Sequence, residues 1–271
     1  MAVKNPHLKI AVVLCALIAL LWIGYQPRLR PPISGEGVQN SHFLSDPPPS
    51  TLKIGVYNIY RGRGTDGIVD LQRTANVLGH ADLVSLHEVA GAIPLWSRDQ
   101  AAMLADFKRM AYIFSPVKTR FLFDSSGNGL LTRVAIGAWQ EQPLPQTYPT
   151  FRRYLLADLK WKGRLIKLIS THIDLHQDRE LQLNRVLGEF KKYNPSILIG
   201  DLNSRRNDPA LRRFIETGEA TDAVHTALTD VDEKPGVDWI LTRGFKVLGG
   251  GYVPVGVSDH PYYWVELDLT Q

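Results

Sequence analysis

Cysteine is nearly missing from this 271-residue chain: Cys15 is the only one. That excludes an intrachain disulfide and a thiolate metal site. An excess of one charge is missing too. The chain holds 31 Lys and Arg against 27 Asp and Glu, a net charge of +4. Lys4, Lys9, Arg28 and Arg30, against Glu36 and Asp46, supply part of that excess within the first 50 residues. Beyond them 27 basic and 25 acidic side chains remain, or +2, too little to argue for nucleic acid from net charge. Internal repeats and low-complexity runs are absent after residue 50. The 44% hydrophobic and 21% charged content is ordinary for a globular chain, and the length suits one large domain with a tail.

One long apolar run is present, Ile10 to Tyr25, 16 residues without a charge. As a helix it is about 24 Å long, just short of a ~30 Å hydrocarbon core. Trp22 and Tyr25 suit a membrane interface at one end and Lys9 can snorkel at the other. No small-x-small cleavage site follows, so residues 10–25 are expected to be an anchor, with a cleaved signal peptide as the alternative. Residues 1–9 form a short basic tail. Residues 26–50 carry six prolines and are expected to be an extended or disordered spacer. This organisation places a domain of residues 51–271 on the extracytoplasmic side of the cell membrane.

Within that domain, strand patterns alternate with a few helices. Helices are expected over residues 67–78, 98–110, 178–193 and 209–215, the third burying Leu181, Leu183, Val186, Leu187 and Phe190. Strands are expected at 121–123 and 129–135 around a Ser125-Ser126-Gly127-Asn128 turn, and a hairpin at 152–161 and 164–173 about Lys162-Gly163. Many strands with interspersed helices imply two packed sheets covered by helices, an α/β sandwich.

Polar residues gather where apolar runs end. Ile197-Leu198-Ile199-Gly200 leads into Asp201-Leu202-Asn203, whose two polar side chains share one face of an extended backbone. Asp and Asn also begin turns. Five further runs agree, however: one ends at Asn58, one at His87-Glu88 and one at Ser170-Thr171-His172; Asp238 opens another, and Ser258-Asp259-His260 precedes the last. The acids Glu88, Asp201, Asp238 and Asp259, without cysteine, favour Mg²⁺, Mn²⁺ or Ca²⁺ over zinc. Asn58 and Asn203 can complete an oxygen shell or hold a phosphate. His260 needs a carboxylate to fix its tautomer, and Asp238 is the candidate. Arg61 and Arg63 can clamp a phosphate or be merely solvated. A metal, a His–Asp pair and amide donors fit hydrolysis of a phosphate ester by an in-line water.

In this order the set resembles the endonuclease/exonuclease/phosphatase superfamily, the deoxyribonuclease I-like fold. The resemblance rests on Val56-Tyr57-Asn58, the run from Asp82 to Glu88, Gly127 to Leu131, Ser170-Thr171-His172, Gly200 to Ser204, Asp238-Trp239-Ile240 and Ser258-Asp259-His260. It implies a four-layered α/β sandwich, two mixed sheets face to face with helices outside, and Mg²⁺-dependent phosphoester hydrolysis, with Mn²⁺ as a substitute. It implies Glu88 as the main metal ligand, helped by Asn58 and Asp259. It implies His260, oriented by Asp238, as base or phosphate-polarising group. Asp201 and Asn203 handle the water and phosphate, and His172 contacts the phosphate. Asn128, with Arg61 and Arg63, is assigned to substrate binding. His87 stands where the family usually has Gln. The expected activity is that of a membrane-tethered monomeric nuclease acting on DNA or RNA. The alternatives are a lipid or small-molecule phosphoesterase and, from another class, a binding protein without chemistry.

Overall fold

A computed structural model describes residues 6–26, 28–93, 97–120, 125–147, 151–229 and 236–270. In chain order its elements are α1 (Pro6–Tyr25), β1 (Arg28–Leu29), β2 (Ser34–Glu36), β3 (Leu52–Asn58), α2 (Leu71–Val77), β4 (Leu83–Ala90), α3 (Gln100–Lys108), β5 (Ala111–Thr119), β6 (Ser125–Thr132), β7 (Ile136–Pro143), β8 (Arg153–Trp161), β9 (Arg164–His172), α4 (Arg179–Phe190), β10 (Ser196–Asp201), α5 (Pro209–Glu216), β11 (Thr221–Asp222), α6 (Ala223–Ala227), β12 (Asp238–Arg243), β13 (Phe245–Val253) and β14 (Tyr262–Leu269). They build two seven-stranded sheets, ordered β1-β5-β6-β4-β3-β14-β13 and β11-β12-β10-β9-β8-β7-β2. The pairs β3–β4 and β9–β10 are parallel and the rest antiparallel, so both sheets are mixed.

The sequence explains the layers. All six residues of β10 are buried, as a continuous apolar run between covered faces must be. Ile54, Val56, Leu155, Leu168, Ile197, Ile199 and Ile240 pack in one core between the sheets. On the outer faces, Leu183, Val186, Phe190 and Phe214 of α4 and α5 cover Leu198 and Trp239, while Ala75 and Leu104 of α2 and α3 cover Val84 and Leu86. The expected two-sheet sandwich with helices outside is the observed architecture.

Some local expectations change. Ser125 to Asn128 do not turn: they run inside β6, because β4 and β5 flank this stretch and take its backbone hydrogen bonds. The strand expected at 121–123 lies outside the described residues. On α4, Leu181 is 47% exposed and Gln182 is buried in its place, accepting from the Asp174 amide at 2.8 Å and donating to Pro145 O at 3.1 Å. The proline-rich segment does not hang free. Its β1 adds an edge to one sheet, on Lys118 and Thr119, and its β2 adds an edge to the other, on β7.

The expected spanning anchor over residues 10–25 is not supported: among the described residues no helix is long and apolar enough to cross a membrane. The run does form a helix, α1, and its apolar side chains from Ile10 to Tyr25 are exposed.

Under β2 lies a buried ion pair. Arg153 Nη1 donates to Glu141 Oε2 at 2.6 Å, and Ser115 Oγ and the Ile33 amide donate to the same carboxylate. Both side chains are at most 1% exposed. Removing one partner strands a buried charge, so Glu141→Ala is expected to destabilise the fold by about 3–5 kcal/mol in denaturant unfolding.

Candidate active site

The topology brings six chain segments to one edge. β3, β9 and β10 end there at Asn58, His172 and Asp201, β4 brings Glu88 there two residues before its end, the antiparallel β12 begins there at Asp238, and β14 is preceded there by Asp259-His260. In register, Asp201 lies opposite both His172 and Asp238. Gly200 permits this closeness, since a Cβ on it would fall 1.9 Å from Thr171 O.

Glu88 owes its position to a β-bulge. Leu86 pairs with Gly129 and Val89 with Gly127, so His87 and Glu88 together oppose Asn128. Glu88 takes φ 55, uncommon for a non-glycine residue and a mark of a re-aimed side chain. Its neighbour His87 is wholly buried, with Nε2 3.0 Å from Ser85 Oγ and Nδ1 3.4 Å from Asn128 Oδ1. Ser85 Oγ lies 2.7 Å from Ser170 Oγ of the opposite sheet. Burial pushes the His87 imidazole down to about 3, so it is neutral.

Asn58 joins two carboxylates. Its Nδ2 donates to Glu88 Oε1 at 3.3 Å and to Asp201 Oδ2 at 3.1 Å, while its Oδ1 accepts from the Tyr60 amide. Ser258 Oγ lies 2.7 Å from Asn58 O and 3.2 Å from Asp259 Oδ1, which fastens the Asp259 loop to the end of β3.

Asp238 and His260 form a pair, Nδ1 to Oδ2 at 2.8 Å, with Asp238 fully buried. Among the described residues, Asp238 Oδ1 has no hydrogen-bond partner. His260 Nε2 lies 3.9 Å from Asp201 Oδ2, too far for a hydrogen bond, so both atoms face common space. His172 Nε2 lies 3.4 Å from that same oxygen. Burial, followed by the Asp238 charge, lifts Asp201 to about 6. Burial opposes the His260 imidazolium, but the Asp238 hydrogen bond and the charges of Asp238, Asp201 and Asp259 outweigh it and raise the group to about 9. Burial, then Arg152, holds His172 well below its ordinary value. At neutral pH the site therefore holds a cationic His260, a neutral His172 and an ionised Asp201.

These shifts set a stability profile for the metal-free chain. The folded state keeps the His260 proton to about 9, against 6.5 for the free side chain. It therefore binds more protons in that window, and stability falls as pH rises through it. The contribution is complete below pH 6.5 and gone above about 9. The melting temperature of the metal-free protein is expected to drop across this range, and His260→Ala is expected to remove that part of the drop.

The other sequence candidates divide. Arg61 and Asn128 line a cleft of about 330 Å³ next to Glu88 and His172. Arg63 stands apart, exposed and donating to Gly67 O at 2.9 Å. Asn203, at φ 43, uses its amide N–H on Asp201 Oδ1 and one side-chain N–H on Ile173 O. Arg206 stacks on Trp239 and pairs with Asp222, which marks it as structural. Sequence reasoning gave no firm role to Arg152 and Arg153, and none to Lys118, all of which line the cleft. The only signal was the Arg-Arg pair at the start of an alternating strand.

The donor set fits a hard divalent cation: oxygen donors, no sulfur, and a Glu88 carboxylate that accepts from the Asn58 amide at 3.3 Å. Asp201, Asp238 and His260 also lie close, with one donor atom from each within 4.8 Å of the others. That trio is a poor cage, because Asp238 and His260 already hold each other and the imidazole carries a proton. Glu88, beside Asn58 and with no imidazolium paired to it, is the better candidate.

Two mixed sheets thus carry carboxylates and histidines along one shared edge. Residues 55–260 match the model of the Endonuclease/Exonuclease/phosphatase family, and the chain belongs to that family. Members are hydrolases of phosphoester bonds and typically need a divalent metal. Among solved structures, the chain is similar to the endonuclease/exonuclease/phosphatase from Beutenbergia cavernae DSM 12333, with 23% identity, a TM-score of 0.66 and coverage of 82% of this chain and 72% of that one. It is similar to D. rerio TDP2 complexed with single strand DNA product, with 20% identity, a TM-score of 0.56 and coverage of 81% and 100%. It is similar to the human Nocturnin catalytic domain with bound sulfate anion, with 13% identity, a TM-score of 0.61 and coverage of 88% and 98%. At these identities the likenesses establish the fold. No curated protein matches the chain significantly.

Proposed function

We propose that the protein is a Mg²⁺-dependent phosphodiesterase, a nuclease in the first instance, that cleaves by in-line attack of water. The observation that carries this is the line Asp238–His260–Asp201, with Nδ1 bound at 2.8 Å and Nε2 facing a carboxylate 3.9 Å away. Glu88, Asn58 and Asp259 would hold the cation, which would supply positive charge against the phosphate oxygens. Mn²⁺ substitutes.

The chain's own residues do the rest. Asp238 holds Nδ1–H and turns Nε2–H towards a phosphate oxygen, where the cationic ring offsets developing negative charge. Asp201, at about 6, is ionised at neutral pH and takes the proton of the attacking water, because His260 already carries one. Asn203 fixes the Asp201 carboxylate through its amide. His172, neutral, sits against Asp201 and the cleft.

Nucleic acid is the first choice of substrate because the cleft is cationic and because a TDP2 of the same fold is described with a DNA product. A phospholipid or other phosphate ester is the second reading, favoured by the exposed apolar α1, whose chain continues into β1 against Lys118. Attachment to a membrane through α1, with the domain extracytoplasmic, belongs to this proposal. Vesicle flotation that persists without residues 1–25 would rule it out. Turnover of single-stranded DNA, RNA, sphingomyelin and inositol phosphates by the full chain with Mg²⁺ decides the substrate: nucleic acid is expected to lead, and faster turnover of either other class would replace the nuclease reading.

A further inference from the structure

The cleft beside Glu88 gathers four cations from separate parts of the chain: Arg61 after β3, Lys118 on β5, and Arg152 and Arg153 at the start of β8. Two of the carboxylates around them are already committed. Glu88 belongs to the metal site in the reading above, and Glu141 is already engaged by Arg153 Nη1. Arg152 faces the charges of Asp201, Asp174 and Glu88, which ties the cleft to the carboxylate edge. Arg153 is 1% exposed and its Nη1 is committed to Glu141 and Pro31 O, so it adds positive charge to the cleft wall without reaching into the space. The guanidinium of Arg61 and Arg152 has the planar fork that suits a phosphate or carboxylate. Phe151, held at φ 53, and Val117 add apolar wall. A volume of about 330 Å³ is near the small end for ligand pockets and suits one terminal group rather than a continuing polymer.

We propose that this cleft is a subsite for a second phosphate carried by the substrate, held beside the phosphoester that is cleaved. It rests on the hydrolase reading of the neighbouring site and narrows it to substrates with two phosphate groups close together. Those may come from a phosphorylated nucleic-acid end or from a phosphorylated lipid headgroup.

The test uses the full chain with Mg²⁺. Its substrates are a thymidine dinucleotide with and without a 5′-phosphate, glycerophosphoinositol with and without a ring phosphate, and bis(4-nitrophenyl) phosphate as a single-phosphate control. The phosphorylated member of one pair is expected to win in kcat/KM by about tenfold or more, the size of a charge-assisted hydrogen bond. The pair that shows the preference identifies the source. An Arg153 variant risks unfolding through Glu141, so Lys118→Gln carries the test: it should abolish the preference and leave the control unchanged. No preference in either pair, or an equal loss on control and phosphorylated substrate, overturns the proposal. If no phosphoester is turned over, the hydrolase reading falls and pyrophosphate calorimetry on the same chain decides the subsite. Pyrophosphate binding about tenfold tighter than orthophosphate, and lost in Lys118→Gln, supports it; equal affinities overturn it.

Discussion

Asp238→Asn is expected to lower turnover of the best phosphoester by about three to four orders of magnitude while leaving the fold intact. Asp238 is fully buried, and its Oδ2 receives the Nδ1 proton of His260 at 2.8 Å. Asparagine keeps the shape but presents a neutral amide. An N–H directed at Nδ1 forbids a proton there, so the ring is held neutral with its one proton on Nε2, and a carbonyl there keeps the orientation but not the neighbouring negative charge. The cation is then left with Asp201 and Asp259 to oppose its burial. The basic limb of the pH profile, set by His260 near 9 in the metal-free site, should therefore move to lower pH along with the loss in rate. Steady-state rates over pH 5–10, with circular dichroism as the folding control, check both. An unchanged rate would detach the pair from the chemistry.

The second large effect is expected at the cation. Glu88→Gln keeps the side chain's length and the amide contact from Asn58 but removes the charge. Altering even a group behind a metal ligand typically costs 10–100-fold in affinity, so losing the charged ligand should raise the Mg²⁺ concentration for half-activation by about 100-fold or more. Turnover should recover partly at high Mg²⁺. Its position in a bulge makes the prediction specific. His87, next in the chain, points into the interior, so His87→Gln should leave Mg²⁺ activation nearly unchanged. Equal shifts for both variants would mean that Glu88 acts only through the fold.

Much of this was legible before any coordinates, for identifiable reasons. β10 announced itself because a strand covered on both faces must be apolar throughout, and its end at Asp201 is where such a strand leaves the core. The His260–Asp238 pairing was legible because a histidine needs a carboxylate to hold its ring. Other features depend on tertiary partners that composition does not carry. The Gly127-Asn128 stretch has turn residues, yet two flanking strands make it a strand. A bulge is a register shift between two strands, invisible in either alone, so the aim of Glu88 was not derivable. Arg63 and Arg61 look equivalent in sequence, and only the loop's path separates the one bound to Gly67 O from the one on the cleft. The prolines of the N-terminal segment suggested a free spacer, but backbone groups of unpaired sheet edges accept such a segment readily.

In the proposed reaction Asp201, Asp238 and His260 work with a cation at Glu88 to hydrolyse a phosphoester. The most direct measurement is Mg²⁺-dependent hydrolysis of a phosphodiester by the wild-type chain and by His260→Ala, across a Mg²⁺ titration. Activity is expected to be absent with chelator, restored by Mg²⁺, and lowered by at least about a thousandfold in His260→Ala at every Mg²⁺ concentration. Full turnover by His260→Ala, or undiminished activity with chelator, would contradict it.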